Sequence, residues 1–506
     1  MKHNKAQTAS LPTALLLLLA AFINGPILHA QYSTPGFGQA FTMEDLVELS
    51  DGTVLWESDH FTVNADLSIT GADTLLIEGE VEVHFAEAVL LTIEGALLTA
   101  GGAKLTTANC CESHWGGIRF ESSSHGRLQN SEITYGGGIR VLTPNFEAVN
   151  CHISHHSAVT STGGAIGLSG GMALISHCTF EGNAASAISS PANINTAPRI
   201  EHCHFEGNNT SNANRPQINL GPSGADTTYI VGNWVVGGNP SLDQTGGIAV
   251  SSLLGNPCHA VIDKNVVIYN RYGVAVIGNN IHSRITGNGL NYNNIQEDPM
   301  LGGSGINLNS TGANSHVILS NNILGNHWGI TLQGTAQANI GEIDNPEVGP
   351  GLNYINYNQN EGGLFDLYNN TSNTIMAQEN CWTPLNWTPT VEDVESVIFH
   401  QNDDPELGEV IFIPFIACGY INSTSNTSAY SSSVYPNPTQ GEVSLKSNFR
   451  MRSLALHDMS GRMVREWTVE GSPLETTLRL DGLTPGLYLL RISGAQGSTS
   501  TKLVVN

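Results

Sequence analysis

The sequence predicts an all-β protein, a solenoid of parallel strands followed by a small C-terminal β-sandwich. Nearly the same heptapeptide occurs twice, HCTFEGN at 177–183 and HCHFEGN at 202–208. Its skeleton, a small polar residue, any residue and an apolar residue, then returns along most of the chain. The composition agrees: 55 Gly and only 12% charged residues in 506 suit turn-rich β structure and argue against a helical bundle.

Residues 1–30 have the layout of a secretory signal. Lys2 and Lys5 form a basic start, Leu11 to Ile23 an apolar run, and Leu28-His29-Ala30 a cleavage site before Gln31. The apolar run is short for a bilayer span, which takes about 20 residues. The mature chain is therefore expected to be exported, with no transmembrane segment. Residues 31–50 form an N-terminal segment. Residues 31–433 carry 9 Lys+Arg against 38 Asp+Glu, whereas 434–506 carry 8 against 6. So acidic a body repels nucleic acid, anionic lipid and polyuronates unless cations bridge them.

Over 51–420 two markers interleave. The first starts at Ser131, Cys151, Cys178, Cys203, Asn233, Asn265, Asn288 and Asn321, with Gly, His or Asn three residues past its apolar position. The second is an aliphatic residue, any residue, then an apolar one, as at Ile118, Ile139, Ile166, Ile218, Ile248, Val274, Ile306 and Ile330; the Ile188 copy is weak because Ser190 replaces its second apolar residue. Alternation over three residues is a short strand with both flanking side chains on one face. Such strands cannot bury that face alone, but stacked coils can. In this register the Ser/Cys/Asn column points inward. Its members lie about 4.8 Å apart, so its amides can hydrogen-bond up the stack.

These markers resemble the right-handed parallel β-helix repeat proteins. TLLIEGEVEVHFAEAVLLTIEGALLTAGG (74–102) and WGGIRF (115–120) look like opening coils, and NCWTP (380–384) with VIFHQNDDPELGEVIFIPF (397–415) like a closing segment. The resemblance implies the fold and says little about activity. Cys381 and Cys418 flank the closing segment and could staple it, since disulfides are permitted in an exported chain.

INSTSNTSAYSSS (421–433) is uncharged and reads as a linker. From 434 short strands with turn punctuation suggest a β-sandwich. Tyr435-Pro436-Asn437-Pro438, the turn containing Gly486 and Tyr488, and the terminal strand beginning at Lys502 resemble the type A C-terminal sorting domain of type IX secretion cargo in the Bacteroidetes. The resemblance implies translocation by the type IX machinery and either attachment to the cell surface or release.

One outward patch stands out. His177 and His202 precede the Cys column; His152, Thr179, His204 and Trp234 form the next column, and Ser154, Glu181 and Glu206 the third. Imidazoles and carboxylates could capture a divalent cation, with His177 and His202 as weak ligand candidates, and Trp234 could be a platform for a sugar. Drift of polar repeats on a solvated face accounts for the same pattern. Arg119 and Arg140 stack outward and could hold an anionic sugar. Lys264 and Arg271 with Asp263 faintly echo a lyase site, although the register turns Asp263 inward. No catalytic residue is identified. The chain is expected to bind or adhere to glycans or other surface polymers, with a polysaccharide lyase or hydrolase and a structural spacer as the alternatives.

Overall fold

The computed structural model describes residues 31–109, 113–157, 164–361, 363–382, 389–418, 432–439, 441–447, 450–458, 463–469, 471, 473–494 and 498–505. Residues 1–30, read from the sequence as a secretory signal, Cys110 and Cys111, and residues 419–431 lie outside them. The chain forms two units, divided after Cys418.

In the first unit the chain visits three sheets in turn, each of 14 strands. Successive strands within a sheet pair in parallel, apart from the hairpin Val54–Glu57/His60–Val63 that opens the third sheet. The aliphatic marker is one continuous row of the first sheet: Ile139 pairs with Ile166, Ile166 with Ile188, Ile188 with Ile218, and the row continues to Leu367. Ile188, whose copy of the marker is weak, takes its rung fully buried. The rings of Phe180 and Phe205 stack with centroids 4.9 Å apart, the strand spacing of a sheet.

The inward column is a hydrogen-bonded ladder. Nδ2 of Asn233, Asn265, Asn288, Asn321 and Asn353 each donates to Oδ1 of the next Asn in the series, ending at Asn380, over 2.8–3.0 Å. The same oxygens accept the backbone N–H one coil back. In the earlier coils thiols take over this role: Cys151 N–H points to Cys178 Sγ, and Cys178 N–H to Cys203 Sγ. A second ladder, unforeseen from the sequence, runs along the exit of the third sheet. It passes from Asn183 to Asn208, and later from Asn293 to Asn326 and Asn358.

The first coil starts earlier than the sequence pattern places it. Tyr32–Ser33 pairs with Leu67–Ser68 in the first sheet, and Ala40–Phe41 with Thr74–Leu75 in the second. Two-residue strands carry no readable alternation. Asp73 fixes the segment between them, its buried carboxylate accepting N–H from Gly36, Gly38 and Gln39 at 2.7–2.9 Å. Helix α1 (Met43–Leu49), closed by a capping box between Thr42 and Asp45, buries Met43 and Leu46 against this end of the core. At the other end Trp382, Val397, Val410 and Phe412 are buried with Val394 of helix α2 (Val391–Glu395). Cys381 and Cys418 are joined there in a disulfide, Cα to Cα 5.1 Å.

The second unit packs a three-stranded antiparallel sheet (Ser432–Tyr435, Glu442–Ser447, Glu475–Arg479) with a four-stranded one (Met451–Asp458, Met463–Thr468, Gly486–Gly494, Ser498–Val505). Val443, Leu445, Leu454, Leu456, Leu490, Ile492 and Leu503 share one core. Its first strand begins at Ser432, two residues before the expected boundary.

Candidate functional site

The His/Glu patch forms with the expected register. His152 pairs with Thr179, Thr179 with His204 and His204 with Trp234; Ser154, Glu181 and Glu206 follow in the neighbouring column. His204 Nε2 lies 3.1 Å from Glu206 Oε2. His177 and His202 sit on the turn that enters the third sheet, each with φ of 55°. Their ring centroids are 5.2 Å apart and the rings tilt by 39°. His177 Nδ1 is taken up by Ser176 Oγ at 2.7 Å. Two features differ from expectation: Ser154 is buried, and Trp234 is half-buried where an exposed indole was expected. Among the described residues no group of three or more His, Cys, Asp or Glu is placed to hold a metal ion. Cys151, Cys178, Cys203 and Cys258 are buried free thiols. Contact with Cys178, together with burial, pushes the Cys151 thiol up, away from thiolate chemistry.

The other echoes of enzyme sites are internally paired. Arg119 does stack on Arg140, and its guanidinium is held by Glu121. Asp263 faces outward, contrary to the sequence reading. The strand Cys258–Asp263 alternates buried and part-exposed and ends on an exposed phase, so Asp263 binds Lys264 Nζ at 3.2 Å and accepts from Thr286 Oγ1 at 2.6 Å.

The sequence reading missed a groove on the outer face of the first sheet. Its floor is the outward column Asn307, Thr331 and Tyr368, in direct register on adjacent strands. Gln333 and Asn370 lie in the next column, and Trp328 stands at the strand entrance. The groove encloses about 350 Å³, at the low end of small-molecule sites. One wall is the connection 299–302, pinned from both sides: Trp328 Nε1 donates to Pro299 O at 2.9 Å, and Arg271 donates to Leu301 O. Met300 and Leu301 are exposed on that wall. The Trp328 ring leans on Phe365 and Tyr368 with centroids 5.0 and 5.1 Å apart, and Tyr368 stacks on Phe399 at 4.9 Å. Thr331 Oγ1 meets Ser304 Oγ at 3.1 Å, and Gln333 Oε1 accepts from Asn309 at 3.2 Å. Asn307 Oδ1 is buried without a partner among the described residues. Aromatic rings beside amides and hydroxyls can hold a polyol, the rings against its C–H face and the amides on its hydroxyls. The signal that could have found this site is the long connection before Ser304, since insertions on one side of a solenoid mark its binding face.

In the second unit the sorting motif has a structural role. Asn437 Nδ2 donates to Lys502 O at 2.7 Å and its Oδ1 accepts from Val504 N–H at 2.8 Å, so one side chain pairs with the terminal strand as a neighbouring strand would. Tyr488 OH donates to Thr484 O at 2.7 Å and closes the turn before Gly486. Tyr435 OH donates to Glu475 at 3.0 Å.

Comparison with known families agrees with this architecture. Residues 94–252 match the right-handed β-helix region, and residues 433–506 match the secretion system C-terminal sorting domain. The protein is a right-handed parallel β-helix with a type IX sorting tail. That tail implies interaction with the type IX machinery and supports secretion or attachment at the cell surface. No curated protein matches the chain. Among the described residues no helix is long and apolar enough to cross a membrane.

Proposed function

We propose that this β-helix protein is a glycan-binding or adhesion protein of the cell surface or its surroundings, and that it holds a sugar polymer in the Trp328 groove. The observation that carries the reading is the juxtaposition of Trp328 and Tyr368 with the amides of Asn307, Gln333 and Asn370 along one wall-lined strip. Hydrolysis of a glycosidic bond uses a pair of carboxyl groups, whereas this strip presents amides, hydroxyls and rings. That favours holding over cleaving. The His/Glu patch is a secondary candidate for polymer or divalent-cation contact, with His204 and Glu206 already paired.

The test is a glycan array followed by calorimetry on the purified chain. Binding that falls at least tenfold in Tyr368→Ala, with circular dichroism unchanged, supports the groove. Tenfold corresponds to about 1.4 kcal/mol. Binding untouched by Tyr368→Ala and abolished by His204→Ala would move the site to the patch, and release of reducing ends or unsaturated uronides would replace the reading with an enzymatic one.

A further inference from the structure

Resting on the glycan reading of the groove, we infer that it selects uncharged glycans and turns away uronate and sulfated polymers. Among the described residues its lining holds no Asp, Glu, Lys, Arg or His. A carboxylate brought into it would lose water and meet no cation. The nearest candidate, Arg271, is spent on the wall: its guanidinium donates to Asn214 Oδ1 and Leu301 O, tying two connections together.

The hydrogen-bonding capacity points the same way. Asn307 lines the groove floor, and its Oδ1 is a buried acceptor without a partner among the described residues. It calls for a donor. A neutral sugar can donate a hydroxyl to it from any position, whereas a uronate or sulfated sugar that puts its ionised group there offers only acceptors. The long-range field adds to this. Residues 301–418, which supply most of the groove and the first unit beyond it, contain 13 Asp and Glu and no Lys or Arg. Such a surface repels a polyanion before contact, and most strongly at low salt.

The experiment is affinity electrophoresis and calorimetry on the purified chain. The probes are laminarin, mannan and xylan on one side, and polygalacturonate and alginate on the other, at low and physiological salt with a chelator present. The expected result is binding to at least one neutral polymer, changing less than about twofold with salt because no ion pair is made, and no binding of either uronate. Asn307→Leu should lose at least tenfold in affinity for that polymer, with circular dichroism unchanged. Uronate binding as tight as neutral binding overturns the selectivity and leaves the glycan reading standing. An Asn307→Leu variant that folds and binds as the parent removes the acceptor argument. No binding of any polymer, here or on the array, overturns the glycan reading itself.

Discussion

Gln217 bridges Asn208 and Asn270 across a coil that has no ladder asparagine. Its Oε1 accepts from Asn208 Nδ2 at 2.9 Å, and its Nε2 donates to Asn270 Oδ1 at 3.0 Å and Val236 O at 2.9 Å. The coil between those two asparagines has Gly238 at the equivalent position, so a longer side chain from the first sheet fills the gap. Gln217→Leu should therefore leave a donor, an acceptor and a carbonyl unpaired in a dry core. At about 1–3 kcal/mol for each buried orphan, we expect a loss of about 3 kcal/mol or more. The check is the urea midpoint of the parent and variant at equal m-value.

The first ladder gives a graded version of the same test. Asn288 accepts Asn265 N–H and Nδ2 at 2.9 and 3.0 Å, and donates to Ile262 O and Asn321 Oδ1 at 2.8 and 2.9 Å. Asn288→Leu breaks all four and should destabilise by about 3 kcal/mol or more. Asn288→Cys should cost less, because thiols already serve as acceptors for backbone N–H in this column at Cys178 and Cys203. Equal losses in the two variants would show that the thiol rungs contribute packing only.

These ladders show what was legible in the sequence. A local strand signature repeated in register, such as CTF, CHF and NVV, assigns the inward column from three residues at a time. The second ladder also repeats, but its positions lie in turns, where side-chain direction does not follow from alternation. Gln217 could not be assigned at all, because its partners lie on other coils, Asn270 being 53 residues away. The groove failed for the same reason. Trp328 and Tyr368 are brought together by one strand pairing, and the wall at 299–302 reads locally as a turn. Asp263 was misassigned because alternation does not carry across the turn at Lys264, whose φ is 54°: Asp263 ends one strand, and the inward Asn265 leads into the next.

Acid should loosen the solenoid through two buried histidines. Burial, with smaller contributions from His114 and His155, leaves the His156 imidazole neutral and its pKa down at about 4. Burial, with a smaller contribution from His282, takes His316 down to about 3. An unfolded histidine titrates near about 6.5. Below that pH the unfolded chain binds protons that the folded chain refuses, so stability is full above about pH 6.5 and falls toward pH 4. For His156 the loss is on the order of 3 kcal/mol by pH 4. His156→Asn, which puts at this position the residue found in the later rungs, should flatten that slope. Asp73 adds a separate loss at lower pH. Burial opposes its ionisation, but N–H groups from Gln39, Gly36 and Gly38 outweigh burial and hold its carboxyl below the usual value. Its stabilisation is therefore present above about pH 4 and fades as pH falls through the depressed value. Thermal unfolding from pH 8 to pH 3 for the parent and His156→Asn separates the two effects.

Asn437 offers a test of how the tail is held. Its amide makes both hydrogen bonds of a strand pairing to Lys502 O and Val504 N–H, and Thr439 N–H adds a third to Val504 O at 2.9 Å. Asn437→Ala removes two of the three. The Val504 amide should exchange with solvent at least tenfold faster, since its acceptor is gone, whereas the Leu490 and Ile492 rows, fully buried at the centre of the sheet, should keep their protection. Asn437→Asp retains an acceptor for Val504 N–H and loses the donor to Lys502 O, so it should protect Val504 while weakening only the Lys502 end. Hydrogen exchange read by NMR or mass spectrometry on the full chain distinguishes the three proteins. If Asn437→Ala left Val504 as protected as in the parent, the terminal strand would be held by Thr439 and by its pairing with Gly486–Gly494, and the motif asparagine would not be what holds the tail.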